Sequence, residues 1–302
     1  VDDHLGKEIV TRISTDIENH GSCFSDSNGR EMLSRVRDYR PTWNLNQTEE
    51  VAGNYFPVTT SLFIRDQQSQ LTLLTDTSQA GTGCVRDGEI EVMVHRRLLQ
   101  DDGRGVGEPL NETEYVTPYW GAGPQGQHQG RGLVIRGQHF LTFTPPATAA
   151  SHWRPLMDRL YLPAMPFFQS ESTSPGSSFS GIRHLPENLE LLTLSRWDAD
   201  TILLRIGHKY GINEDAKLSQ PVDLDLSSVF AMKLVEVNER GLAGTISRKE
   251  VVMSRIDWKV QGEEEQVSQE TSVPGQTVYT FGPLQIRTFL VKFEPRSGLV
   301  FI

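Results

Sequence analysis

Short runs in which hydrophobic and polar residues alternate recur along this chain and predict β-strands. Examples are GEIEVMVH at 88–95 and HFLTFTP at 139–145. Because successive residues of a strand point to opposite faces, such runs would place their apolar side chains on one face of a sheet. The dipeptides Asn28-Gly29, Asp87-Gly88 and Asp102-Gly103 favour tight turns between the runs. Many short strands at a spacing of about ten residues predict an all-β fold built of sandwiches.

A serine-rich segment, QSESTSPGSSFSG at 169–181, separates two groups of predicted strands. Serine mixed with glycine and proline at this density is typical of a loop or a connection between domains. We therefore predict a large β-sandwich over residues 1–184 and a smaller C-terminal β-sandwich over residues 185–302. One segment, SHWRPLMDRLYLP at 151–163, has a helical pattern, and its prolines predict that the helix is short.

The charge balance excludes some classes of partner. The 302 residues carry a formal net charge of −10, and the pI is about 5.3. This argues against a nucleic-acid partner, because phosphates attract a basic surface. The sequence contains no apolar run of membrane-spanning length, so we expect a soluble protein without a membrane partner. It starts VDDHLGKEIV, without Met or an apolar leader, which we interpret as a mature or excised fragment.

The cysteines and two glycosylation motifs bear on the cellular compartment. The two cysteines, Cys23 and Cys84, are equally compatible with a disulfide and with buried free thiols. Asn46-Gln47-Thr48 and Asn111-Glu112-Thr113 are acceptor motifs for N-glycosylation in polar surroundings. Asn46 and Asn111 therefore favour a protein of the secretory pathway.

The sequence shows no complete catalytic set. None of its eight histidines forms an HxxxH or HxH pair or pairs with a cysteine at metal-ligand spacing, and there is no GxSxG motif. The most densely charged stretch is HRRLLQDDGR at 95–104, directly after a predicted strand. One interpretation of this stretch is structural: Arg96 or Arg97 forms a salt bridge with Asp101 or Asp102, and glycines allow the turn. Its functional interpretation is an ionic cluster at an interface or a pocket.

Three longer stretches resemble one enzyme family. They are DSNGREMLSRVRDYRPTWNLNQTEEVAGNYFPVTTSLFIRD at 26–66, LTLLTDTSQAGTGCVRDGEIEVMVHRRLLQDDGRGVGEPLNET at 71–113, and PLQIRTFLVKF at 283–293. They are similar to the C-terminal β-domains of glycoside hydrolase family 38, the lysosomal-type α-mannosidases. The resemblance covers residues 8–293 with gaps and is weakest over 114–180.

This resemblance implies a fold and an activity. The fold would be a galactose-mutarotase-like super-sandwich followed by a smaller sandwich. The activity would be that of a zinc-dependent retaining exo-α-mannosidase that acts on terminal mannose of N-linked oligosaccharides. Zinc, nucleophile and acid/base would lie on an N-terminal catalytic chain, so this chain alone would be inactive. The expected partners are that catalytic chain, the N-glycan and further copies in a homo-oligomer. The expected location is a lysosome or a vacuole, with secretion as an alternative.

The resemblance also singles out residues of the charged stretch. The arginine of the family's DD-x-RG motif points toward the active-site cavity, and that position here is Arg104. We therefore expect Arg104 to bind substrate, oriented by Asp102, because a guanidinium is always charged and can hold carboxylates or sugar hydroxyls. The competing hypothesis is a stand-alone carbohydrate-binding β-sandwich module, which would need an exposed aromatic platform.

Overall fold

The computed structural model describes residues 6–101, 103, 105, 107, 110, 112–114, 131–166, 168, 181–256 and 275–294. The chain divides into two compact units, Val1–Pro163 and Ala164–Ile302. The strands are short and pair in antiparallel sheets, so the predicted all-β sandwich fold is confirmed. The domain boundary that we placed after residue 184 stays a prediction.

The described strands of the first unit pair mainly in two sheets. They are β1 (Lys7–Ser14), β2 (Ser22–Ser27), β3 (Glu31–Val36), β4 (Phe56–Val58), β5 (Ser61–Arg65), β6 (Gln70–Thr75), β7 (Gln79–Thr82), β8 (Glu89–Arg97), β9 (Thr113–Glu114), β10 (Arg131–Gly132) and β11 (His139–Thr144). One sheet has the order β1-β8-β7-β4, and the other has the order β11-β6-β5-β2-β3. Strands β9 and β10 pair with each other.

Apolar side chains from both large sheets meet in one core. Val58 and Ile90 of the first sheet lie in the same buried cluster as Leu62 and Leu71 of the second. The turns follow the local chemistry: in the β2–β3 hairpin Asn28 and Gly29 both have positive φ, 54° and 72°. Asparagine and glycine tolerate that conformation, and it matches the twist of the two strands.

Helix α1 (Pro146–Tyr161) covers the second sheet and is longer than its sequence predicts. Pro155 lies inside the helix without ending it. The prediction of a short helix was therefore wrong. The physical reason is packing: Trp153 is 1 % exposed and lies in a buried cluster with Leu74 of β6. Tertiary burial of this face outweighs the hydrogen bond that a proline removes.

The second unit packs a four-stranded sheet against a two-stranded one. Its elements are β12 (Leu189–Arg196), β13 (Ile202–His208), β14 (Val222–Asp225), α2 (Leu226–Val229), β15 (Leu234–Arg240), α3 (Arg248–Met253), β16 (Val278–Phe281) and β17 (Ile286–Phe293). The sheet orders are β12-β13-β17-β15 and β14-β16. Leu204 and Phe289 of the larger sheet share a buried cluster with Phe281 and Leu224 of the smaller one.

A buried ion pair joins β15 to β17 in this unit. Arg287 Nε lies 2.9 Å from Glu239 Oε1, and Arg287 Nη2 donates to Glu239 Oε2 at 2.9 Å. The two side chains are only 6 % and 4 % exposed. Arg287 Nη1 also donates to the carbonyl of Thr280 at 2.8 Å. Burying two such charges costs free energy because both lose their water. Removing one partner destabilises the fold more, because the other charge is then buried without a counterion.

We expect Glu239→Ala to lower the free energy of unfolding by about 3–5 kcal/mol, because it leaves the Arg287 guanidinium buried without its counterion. The matched control is Glu236→Ala on the same strand, whose exposed carboxylate lies 3.5 Å from Lys292. We expect that change to cost less than about 1 kcal/mol. Urea denaturation followed by circular dichroism measures both, and equal losses would contradict the assignment.

Candidate functional site

Strand β8 leads into the charged stretch that the sequence singled out. It pairs along its length with β1, and the register places Arg96 opposite Glu8. Arg96 Nε lies 2.8 Å from Glu8 Oε1, and Arg97 Nη1 donates to the carbonyl of Glu112 at 3.4 Å. The partner of Arg96 among the described residues is therefore Glu8. The sequence did not indicate this pair, because Glu8 lies on β1, far from Arg96 along the chain. Asp102 lies outside the described residues, so a bridge from Arg96 or Arg97 to Asp102 stays a prediction.

Asp101 caps the turn that follows β8. Its Oδ2 accepts a hydrogen bond from the backbone N–H of Gly103 at 2.8 Å, as an aspartate in a turn commonly does. Gly103 has a φ of 72°, in the left-handed region that favours glycine. A Cβ placed on Gly103, Gly105 or Gly107 would touch nothing within 4 Å. The described glycines of this stretch are thus not packed against the sandwich.

Several residues predicted to have a function fall outside the described part of the chain. Asp102, Arg104 and Asn111 are among them, so the role of Asp102 and Arg104 in substrate binding and the glycosylation of Asn111 stay predictions. Asn46 is described and lies exposed between β3 and β4, where a glycan would have access. Its glycosylation also stays a prediction.

The two cysteines lie together in the core of the first unit. Their Sγ atoms are 2.9 Å apart, both side chains are fully buried, and both thiols are free in the structure. The hydrogen bond between the two sulfurs raises the pKa of Cys23 and lowers that of Cys84, and burial further raises the pKa of Cys23. Neither thiol is accessible to a substrate, so the pair has a structural role, and its oxidation state stays open.

Sequence reasoning missed a cluster of charged and phenolic groups on the β1–β8 sheet. Arg12 Nε donates to Glu91 Oε2 at 2.7 Å and lies 3.6 Å from Glu89 Oε2, and Tyr55 Oη donates to Glu91 Oε1. The hydrogen bond to Glu91 raises the pKa of Arg12. Burial, and secondly its own hydrogen bond to Glu91, raise the pKa of Tyr55. The signal was present in the alternation of GEIEVMVH, which puts Glu89 and Glu91 on one face.

This cluster has the residue types of a glycosidase site but not its arrangement. Carboxylates two apart on a strand lie about 7 Å from each other, a separation that glycosidase pairs also use. Arg12 faces both Glu89 and Glu91, however, and Tyr55 occupies another oxygen of Glu91. Neither glutamate lines either of the two cavities described next. The arrangement therefore fits a cross-strand ionic cluster rather than an acid and a nucleophile.

Each unit contains a cavity of moderate size. The cavity of the first unit measures about 350 Å³ and is lined by Thr11, Ser78, Gln79 and His139, among others. His139 Nε2 lies 2.8 Å from Gln79 Oε1, and burial lowers the pKa of His139. The cavity of the second unit measures about 340 Å³ and is lined by the Glu239–Arg287 pair and further arginines.

The described residues offer neither a metal site nor a membrane-spanning helix. No group of three or more His, Cys, Asp or Glu side chains there has a geometry that could hold a metal ion. The residues described in this chain therefore do not offer a ligand set for zinc. No helix among them is long and apolar enough to cross a membrane.

If the chain matures in an oxidising compartment, we expect Cys23 and Cys84 to be joined by a disulfide. Denaturing mass spectrometry of protein alkylated without reduction should show a chain lighter by two hydrogens and free of alkyl groups. A crosslink over 61 positions would stabilise the fold by about 4 kcal/mol through loss of unfolded-state entropy. The single variants Cys23→Ser and Cys84→Ser should each lose this gain, and two alkylated thiols in the native protein would show that the pair stays reduced.

Comparison with known proteins connects the chain to α-mannosidases. Residues 1–104 match the family model of the glycosyl hydrolases family 38 C-terminal domain. The chain is 41% identical to the lysosomal alpha-mannosidase of Bos taurus, 39% to that of Homo sapiens and 36% to the alpha-mannosidase of Canavalia ensiformis. Each comparison covers 97% of this chain. The chain spans only 28% of the two mammalian relatives and 30% of the plant one.

A solved structure supports the fold. The alpha-mannosidase from Enterococcus faecalis V583 superposes with a TM-score of 0.54 over 95% of this chain and 26% of its own length. The identity is 11%, so this likeness bears on the fold alone. The resemblance that the sequence motifs indicated is confirmed by the family model and the curated relatives.

Proposed function

We propose that this chain, which belongs to glycoside hydrolase family 38 through the C-terminal domain it carries, is the C-terminal part of an α-mannosidase. The observation that carries the proposal is its similarity over nearly its whole length to about a quarter of each lysosomal relative. The remaining length of such an enzyme would hold the catalytic domain. The chain would complete the active site and stabilise the fold, and would not hydrolyse mannosides by itself.

The proposed reaction is retaining hydrolysis of terminal α-mannose from N-linked oligosaccharides. In this reaction one carboxylate attacks the anomeric carbon while a second carboxyl group protonates the leaving oxygen, and water then releases the sugar. We assign both carboxyl groups and the zinc to the catalytic part outside this chain. When bound there, zinc would act as a Lewis acid on mannose hydroxyls.

Arg104 is the residue of this chain that we propose to reach the substrate. The described neighbours support this proposal: Arg96 pairs with Glu8, Asp101 caps the turn, and a Cβ built on Gly103 or Gly105 would meet no described atom within 4 Å. A guanidinium at position 104 would hold sugar hydroxyls or catalytic carboxylates through charge-assisted hydrogen bonds. Asp102 would orient it.

Exposed apolar side chains in the first unit support association with a further part of the enzyme. Leu141 and Phe143 of β11 are 49 % and 59 % exposed, and Ile9 of β1 is 54 % exposed. Strands β1 and β11 are each at the edge of their sheet. Apolar side chains of this size on strand edges are typical of surfaces that another chain segment covers.

The alternative, a stand-alone carbohydrate-binding module, is favoured by a different observation. Tyr39 and Trp43 are 57 % and 63 % exposed and lie four positions apart in the loop after β3. Exposed aromatic rings can stack on sugar faces. In that case the chain alone would bind mannosides, and its mixture with a catalytic part would not form a stoichiometric complex.

We expect Arg104→Ala to lower kcat/KM of the assembled enzyme for a chromogenic α-mannoside about 10–100-fold, because a charge-assisted hydrogen bond contributes about 1.5–3 kcal/mol. The assay compares the chain alone, the chain with the catalytic part, and the same pair carrying Arg104→Ala, at acidic pH with zinc. The matched control is Arg86→Ala, an exposed arginine in the turn before β8.

Three outcomes separate the hypotheses. An inactive chain, an active pair and a weakened but still associated Arg104→Ala pair support the proposal. Hydrolysis by the chain alone would show that its own carboxylates catalyse, and Glu89 and Glu91 would then be the first candidates. An Arg104→Ala pair as active as the Arg86→Ala pair would remove Arg104 from the substrate site.

A further inference from the structure

The cavity of the second unit has an unusual concentration of positive charge for an acidic protein. It lies between the end of β15, the loop at 241–247, α3 and the start of β17. Three arginines line it, Arg240, Arg248 and Arg287, against one carboxylate, Glu239. The whole chain has a net charge of −10, so this local excess of two positive charges runs against the average of the surface.

The three arginines differ in what holds them. Arg287 is matched by Glu239 in the buried pair described above. Arg240 instead donates from Nε to the carbonyl of Gly244 at 3.0 Å and from Nη2 to that of Thr245 at 2.7 Å. Carbonyl oxygens satisfy the donors of a guanidinium but carry no net charge. The loop is therefore fixed by Arg240, whose charge is partly balanced by Glu250: the pKa of that carboxyl group is lowered first by its hydrogen bonds to Ser247 and also by Arg240.

A second arginine reinforces the same loop from outside the cavity. Arg205 of β13 donates from Nε to the carbonyl of Leu242 at 2.9 Å and from Nη2 to that of Ala243 at 3.4 Å. The nearby carboxylate of Glu250 is engaged in the cap of α3, where it accepts from the backbone N–H of Ser247 at 2.7 Å and from its hydroxyl at 2.6 Å. These hydrogen bonds to Ser247 hold the pKa of Glu250 below its usual value.

Arg248 is the third arginine of this cavity. Its Nε is buried, and it has no hydrogen-bond partner among the described residues. A buried guanidinium N–H without an acceptor costs free energy, because the group has lost its water and gained nothing. The residue lines the cavity, so its positive charge lies beside that space.

We propose that this cavity is a binding site for a small oxyanion, with Arg248 as its principal donor and Arg240 as a second positive charge. A guanidinium pairs with phosphate and carboxylate oxygens through parallel N–H donors, which suits both groups. A volume of about 340 Å³ holds a tetrahedral ion together with several waters or with the first atoms of an organic ester. The source of the oxyanion is therefore either a free phosphate ion or a phosphate monoester.

The test is isothermal titration of the full chain with inorganic phosphate at constant ionic strength, with chloride as the reference salt. We expect one saturable site with a Kd of about 1 mM or tighter. Arg248→Gln should raise that Kd at least about tenfold, because it removes the charge and the unpaired donor. The matched control is Lys249→Gln, which removes an exposed charge from the same helix and does not line the cavity. Its Kd should stay within about twofold of the starting protein.

A second variant keeps the test decisive if Arg248→Gln does not fold. Thr245→Glu places a carboxylate at the rim of the same cavity, where it would pair with Arg248 in cis. It should raise the melting temperature and abolish phosphate binding. Titration with glycerol 3-phosphate distinguishes the two sources: tighter binding than inorganic phosphate indicates a phosphate monoester, and weaker binding indicates the free ion. Absence of saturable phosphate binding up to about 20 mM, or an unchanged Kd in both cavity variants, would overturn the proposal.

Discussion

Burial of both faces of strand β6 is the constraint on which the first unit depends. All six residues from Gln70 to Thr75 are buried. Leu71 and Leu73 face the core shared with the β1–β8 sheet, and Leu74 packs on the other side beneath Trp153 of α1. A strand buried on both faces needs a cover for each, so the sheet and the helix are both required. The continuation of α1 through Pro155 follows from this requirement.

Helix α1 also holds the β2–β3 hairpin through hydrogen bonds from Arg154. Arg154 is 1 % exposed and donates to the carbonyls of Gly29 at 3.3 Å and Arg30 at 2.5 Å. A buried guanidinium thus satisfies carbonyls of the β2–β3 turn, which lies next to the strand that carries Cys23. In the second unit Arg287 has the same role, because it links β15 to β17 through Glu239 and reaches the carbonyl of Thr280. Buried arginines fix the geometry of loops and edges in both units.

The charged groups on the first sheet of the first unit are paired with one another. The described carboxylates of the first sheet are engaged by Arg12 and Tyr55, which leaves them poorly suited to acid or nucleophilic chemistry. At the end of the same sheet, Arg96 pairs with Glu8, and Asp101 accepts a hydrogen bond from the backbone N–H of Gly103.

The sequence by itself determined the class of fold and the resemblance to α-mannosidases, because both depend on local pattern. Alternation in stretches such as GEIEVMVH set strand faces, Asn28-Gly29 set a hairpin turn, and long motifs carried the family resemblance. Only the tertiary structure decided the partners of individual side chains. Arg96 pairs with Glu8, 88 positions away in the sequence, and Cys23 contacts Cys84, 61 positions away. Glu239 pairs with Arg287, 48 positions away. The physical reason is that sheet register and burial bring remote strands together, and composition and spacing along the chain do not contain that information.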